Sequence, residues 1–198
     1  MPSKRFWRTL AICASLVTGL ALVPVASANA DDLRDARAVV RDVNGNFVGV
    51  VNFVPTGGKL AVAGRLSGLT QGFHGFHVHT TGRCDPRAVD PATGAVVPFF
   101  TAGGHLNPGG VGHGQHVGDL PVLYVSADGT ARSVVEKDTL TFAAIFDADG
   151  AAIIIHAAPD NYANIPTRYS AGGVPGPDAA TLNTGDSGGR VACGVITR

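Results

Sequence analysis

Charge is scarce in this 198-residue sequence: only 15% of residues are charged, and fifteen basic residues balance fifteen acidic ones. No basic run and no series of stacking aromatics occurs, which argues against a nucleic-acid partner. Helical periodicity is missing too. No stretch repeats apolar residues at helical spacing for longer than a turn or two, so a helix bundle is excluded. Nor does any segment repeat, which excludes a solenoid.

A long apolar run occurs in one place only. Leu10 to Val25 is apolar but broken by Gly19 and Pro24, and is shorter than the ~20 residues a membrane-spanning helix needs. It follows Lys4, Arg5 and Arg8 and precedes Ala28-Asn29-Ala30, the order of charge, apolar stretch and small residues found in export signals. Residues 1–30 are therefore expected to be a leader cleaved before Asp31, with 31–198 as one domain in the periplasm, the cell envelope or outside the cell. Without the three leader cations, twelve basic residues face fifteen acidic ones, a net charge of −3. Cysteine is equally sparse. Beyond Cys13 in the leader there are only Cys84 and Cys193, and in an exported protein so isolated a pair reads as one disulfide. Such a bridge typically stabilises a fold by about 2–4 kcal/mol.

What the chain has in quantity is glycine, 27 residues of it, punctuating short segments of period-two alternation. Nine candidate strand segments fall at 36–42, 47–54, 60–66, 73–79, 122–126, 131–136, 141–146, 151–156 and 191–196, one more than the expected fold uses. Asn44-Gly45 reads as a hairpin turn. Residues 80–120 and 157–190 lack alternation and read as two oversized loops, of the kind that usually serve function. The expectation is an all-β fold, an eight-stranded antiparallel Greek-key sandwich or flattened barrel carrying two long functional loops.

Seven histidines are present and they are not scattered. On a strand, His77 and His79 point to one side while Val78 points to the other. His105, His113 and His116 fall in the first loop, ending at Asp119, and His156 closes the run Ile153-Ile154-Ile155. Nitrogen-rich donors of this kind suit copper and zinc better than magnesium or calcium. Three imidazoles and a carboxylate are a tetrahedral zinc set in kind and number. His77, His79 and His156 need one further nitrogen for a tetragonal copper site, and a ring shared between two metals would supply it. His74 has the opposite strand parity and is expected to be structural.

Four stretches carry a family resemblance: Gly72–His79, Gly104-His105-Leu106-Asn107-Pro108, His116-Val117-Gly118-Asp119-Leu120 and Gly188-Gly189-Arg190-Val191-Ala192-Cys193-Gly194-Val195-Ile196. They closely resemble the copper/zinc superoxide dismutases, a family that is itself a standard example of the sandwich architecture. The resemblance implies dismutation of superoxide to dioxygen and hydrogen peroxide. It implies copper on His77, His79, His105 and His156, and zinc on His105, His113, His116 and Asp119, with His105 as the bridge. It also implies an aspartate linking a copper histidine to a zinc histidine, at Asp160, and an arginine above the copper, at Arg190. A homodimer is left open.

Three features depart from the commonest family pattern. Only two residues separate His113 from His116, residues 85–101 look inserted, and the second loop lacks an obvious cluster of charged guides, since Arg168, Asp178 and Asp186 match none. The rival reading is a copper-binding chaperone or periplasmic metal reservoir on the same fold. Relatives of that type tend to lack part of the copper set or the arginine, and this chain has both.

Overall fold

Alternation builds the wall of the molecule. Along Ala36–Asp42 (β1), Ala36, Ala38 and Val40 are buried while Arg37, Val39 and Arg41 face out. A turn at Asn44-Gly45, held by Asp42 Oδ1 accepting the Asn44 and Asn46 amides at 2.8 Å, leads into Phe47–Thr56 (β2). In Lys59–Leu66 (β3) the inward residues are Leu60, Val62, Gly64 and Leu66. The computed structural model describes residues 35–198; the expected leader and its cleavage point lie outside the described residues.

The remaining strands are Gly72–His74 (β4), Phe76–His79 (β5), Leu123–Val125 (β6), Ala131–Lys137 (β7), Ala152–His156 (β8), Ser170–Ala171 (β9), Val174–Pro175 (β10) and Arg190–Thr197 (β11). One sheet runs β4-β6-β7-β3-β2-β1-β11-β8-β5, every pairing antiparallel, and β9 and β10 form a separate small hairpin. Strands β7 and β6 stand between β3 and β4, the long jump of a Greek key.

The strand expected at 73–79 is broken at Gly75, and its two halves occupy opposite rims of the sheet. With β4 and β5 taken as one bent strand, the sheet is the anticipated eight-stranded flattened barrel, nearly closed on itself. The bend needs a glycine. A Cβ at Gly75 would press on Ser187 Cβ and His77 Cε1.

Two expectations shift. Thr141–Phe146 is not a strand but a single helical turn, Phe142–Ile145 (α1), capped by Thr141 Oγ1, which accepts the Ala144 amide. A second short helix, Ala179–Thr184 (α2), lies in the loop 157–190 and is capped by Asp178. No helix among the described residues is long and apolar enough to cross a membrane.

The core fills the barrel. Phe53, Val62, Phe76, Val78, Ile153 and Ile155 are fully buried in it, each contributing roughly 1.5–3 kcal/mol of hydrophobic stabilisation. Strands β5 and β8 are buried on both faces. Phe76 and Val78 face the interior, so His77 and His79 point outward beneath the loops. On β8, Ile153 and Ile155 point in, while Ala152 and Ile154 pack outward against Phe99, Ala102 and Cys193. His156 shares that outward side. The barrel's outer surface thus becomes the floor of a second, covered layer.

Candidate metal centre

The first long loop is laid along β5 by backbone bonds. Leu106 and Gly118 exchange bonds with Val78, as Leu106 N to Val78 O and Val78 N to Gly118 O, both 2.8 Å. Buried Leu106 and Leu120 anchor the loop in the core. This pairing sets His105 across from His79 and Asp119 across from His77. From the second loop, α2 reaches the same place, because its Leu182 carbonyl accepts the His113 amide at 3.0 Å.

Six histidines and two aspartates therefore converge, all buried: His77, His79, His105, His113, His116, His156, Asp119 and Asp160. One group of donors brings His77, His79, His105 and His156 within 4.8 Å of one another. His79 Nε2 lies 3.4 Å from His156 Nε2. Their other ring nitrogens are occupied: His79 Nδ1 donates to Gly103 O at 2.9 Å and His156 Nδ1 to Gly188 O at 3.0 Å. His77 Nδ1 and His105 Nε2 are buried side-chain atoms with no hydrogen-bond partner. Buried polar atoms are rarely left so, and two together beside a pair of imidazoles are what a metal would satisfy.

The second group lies on the other side of His105. His105 Nδ1, His113 Nδ1 and His116 Nδ1 approach Asp119 Oδ1 at 3.0, 3.3 and 3.2 Å. His116 Nδ1 is 3.4 Å from both His113 Nδ1 and His105 Nδ1. Tetrahedral bonds of about 2.0–2.1 Å put neighbouring donors about 3.3 Å apart, and these five separations match that spacing. His77 also falls within 4.8 Å of His105, His113 and Asp119, but its Nε2 donates to Asp160 at 2.6 Å. Its free Nδ1 belongs with the first group.

Asp160 ties the groups together. It accepts from His77 Nε2 at 2.6 Å, from His113 Nε2 at 2.8 Å and from the Tyr162 amide at 2.7 Å. Gly185, in the left-handed region at φ 59°, ends α2 directly against it, and a Cβ there would overlap Asp160 Oδ1 and His113 Nε2. His74 lies apart from both donor groups. Its Nδ1 is 2.7 Å from His156 O and its Nε2 2.8 Å from Thr70 O, so it braces the backbone of a neighbouring histidine.

Burial decides the charge of three imidazoles. It pushes His77 down to about 4, against the opposing bond to Asp160, and His156 down to about 3, with help from the nearby His77. It holds His79 well below the ordinary range. At His113 burial also disfavours charge, but Asp119 and Asp160 outweigh it and raise the ring to about 9. Burial likewise opposes ionisation of Asp119 and Asp160, yet their histidine bonds keep both below the ordinary carboxylate range.

Arg190 opens β11 opposite His156. Its guanidinium donates from Nη1 to Phe99 O and from Nη2 to Gly103 O, each at 2.5 Å. Cys84 and Cys193 are bonded, with Cα atoms 5.7 Å apart. The carbonyls of Phe99, Gly103 and Gly188 were invisible in the sequence, because every residue carries one and only the fold selects which are used.

The fold and the site together define a β-barrel metalloprotein whose two donor groups share one imidazole. The family model for copper/zinc superoxide dismutase matches residues 47–196, and this chain belongs to that family. Similar chains include a superoxide dismutase [Cu-Zn] of Mycobacterium tuberculosis, 49% identical over 65% of this chain. Another, from Deinococcus radiodurans, is 32% identical over 96% of this chain and 97% of its own. The chain spans only 54% of the length of the Mycobacterium relative. Among solved structures, the Cu/Zn superoxide dismutase from Brucella abortus matches with a TM-score of 0.62 at 30% identity, covering 83% of this chain and 100% of its own. Copper and zinc are the cofactors the family implies, and the donors fit both.

Proposed function

We propose that this protein dismutates superoxide, two O2•− and two protons giving O2 and H2O2. The observation that carries the reading is the shared ring of His105, with Nδ1 among four donors at tetrahedral spacing and Nε2 unpartnered toward three further imidazoles. Copper would be held by His77, His79, His105 and His156, and zinc by His105, His113, His116 and Asp119. When bound, copper supplies one-electron redox chemistry and zinc a fixed positive charge without redox change.

The chain's own residues do the rest. Asp160 accepts a hydrogen bond from Nε2 of His77 and from Nε2 of His113, which fixes the tautomer and the orientation of one ring in each group. His105 Nε2 is a place where a proton can be held beside the substrate position. Arg190 is aimed by two carbonyls and carries no acidic partner in an ion pair among the described residues, so its charge is available to a small anion. Half-buried Arg190 supplies a local field that can draw the anion despite the mature chain's net −3, an effect for which this enzyme family is itself a reference case.

Residues 1–30 serve as a leader and 31–198 as the working, exported domain. The support is the leader pattern in the sequence and a relative from Brugia pahangi named an extracellular enzyme, 33% identical over 81% of this chain. The test is to purify the exported form, count copper and zinc per chain, and follow superoxide consumption in the parent and in Arg190→Glu. The variant is expected to keep both metals and lose roughly tenfold or more in rate, with an altered salt dependence. Full copper loading without superoxide consumption in the parent would overturn the reading in favour of a copper carrier.

A further inference from the structure

Segment 85–101 is not a loose appendage. It leaves and returns at one point, where the Phe99 amide donates to Asp85 O at 2.8 Å and Thr101 Oγ1 joins Arg83 O to the Asp85 amide, both at 3.2 Å. Between these it is a small hairpin, with Val89 bridged to Val96 and Asp90 closing a turn onto Ala95 at 2.9 Å. Its return limb ends at Phe99, which has φ 59° and ψ 20°. A bulky residue rarely adopts that left-handed backbone, and it persists only where the surroundings hold it. Here the ring is held. Phe99 is 2% exposed, packed with Ala102, Ala152, Ile154 and Cys193, against the half-buried Cys84.

The single 3-10 turn that follows, Phe100–Ala102, lies between the two carbonyls that grip Arg190. The first, Phe99 O, also accepts the Ala102 amide at 3.0 Å and so belongs to the turn itself. The second, Gly103 O, also accepts from His79 Nδ1. We propose that Phe99 is a positioning residue for Arg190: its ring, locked beneath the disulfide, fixes a left-handed turn whose carbonyl sets the angle of the guanidinium. Anion affinity at the copper position is then set by the return limb of segment 85–101 and not by the metal donors alone. The proposal rests on the reading of Arg190 as the group that attracts the anionic substrate.

Phe99→Val tests it, because a β-branched side chain stays apolar but resists the left-handed backbone. In metal-free, 15N-labelled parent protein, Arg190 should show slowed Nη resonances from its two carbonyl bonds. In the variant these are expected to disappear while the disulfide stays closed and copper and zinc still load. Azide titrated onto the copper-loaded protein should bind about tenfold more weakly in Phe99→Val, the loss expected when a charge-assisted contact is misaimed. On an Arg190→Ala background the same change should cost azide nothing further, since residues acting through one another are not additive. Parent-like Nη resonances and azide affinity in Phe99→Val would overturn the proposal, as would full additivity with Arg190→Ala. Should the valine variant not fold, Phe99→Leu decides: broadened Arg190 resonances support the proposal, and a lowered Tm with parent-like resonances overturns it. Lost Nη order and weakened azide with undiminished superoxide consumption would leave Phe99's role standing and overturn the reading of Arg190.

Discussion

The imidazoles of this site divide by charge before any metal arrives. His77, His79 and His156 are neutral at pH 7 because burial penalises the ring cation, so they are already in the form that binds metal. His113 is the opposite, held protonated by Asp119 and Asp160 up to about 9. With His113 as a zinc donor, as proposed, zinc must displace its proton. Zinc affinity of the metal-free protein is expected to rise about tenfold per pH unit toward pH 9 and then level off, with one proton released; titration calorimetry in buffers of differing ionisation enthalpy measures both. The same shifts set stability without metal. His77 and His156 have lowered folded-state values, so their contribution is present above 6.5 and is lost as pH falls toward about 4 and about 3. The raised value of His113 contributes fully below 6.5 and is lost as pH rises through about 9. Metal-free Tm should thus peak near pH 6 to 7 and fall on both sides, most steeply on the acid side; a Tm that rises on acidification would contradict these assignments. At this scale the sequence was generous. Strand alternation put His77 and His79 on one side and His74 on the other, and the loop spacing grouped the remaining donors. The carbonyl partners that orient the rings left no trace in it.

Short elements were harder to read. The apolar run at Thr141–Phe146 could be a strand or a helical turn by periodicity alone. Phe142 and Ile145, three apart, are both buried, and the Thr141 cap favours the turn. Gly75, inside an alternating stretch, was the one local signal that the fourth strand breaks there. Helix α2 was not anticipated, although Asp178 before it and Gly185 after it are ordinary start and stop residues; at six residues it is too short to show a periodic face. Its end matters more than its length. Gly185→Ala would force a Cβ into Asp160 and His113 from a left-handed position, so it is expected to lower both zinc affinity and Tm. Its stability cost should exceed the ~1 kcal/mol of an ordinary glycine-to-alanine mismatch. Metal counting and thermal melts check it, and a variant with full zinc and unchanged Tm would show that the helix end can shift aside.

Across the whole molecule, the barrel was legible because burial on one face repeats every second residue, and the covered outer layer was legible only as two loops too long for connectors. What alternation could not supply is how those loops fold down, since backbone pairing to β5, the disulfide and the donor cluster do that work together. The Cys84–Cys193 bridge spans 109 residues and joins the base of segment 85–101 to β11. Changing both cysteines to serine is expected to cost about 2–4 kcal/mol, or roughly 5–15 °C in Tm for a domain of this size. Calorimetry of the metal-free protein reads it without interference from metal binding, and an unchanged Tm would mean that packing around Phe99 and Ile154 fastens segment 85–101 unaided.

The break at Gly75 has a last consequence. An open sheet offers two bare margins, and each can capture a strand from a stranger and seed a fibre. Here both margins are consecutive pieces of one peptide, hinged at a single residue. Neither can swing out to recruit a foreign strand without dragging the other, and with it the histidines, out of place.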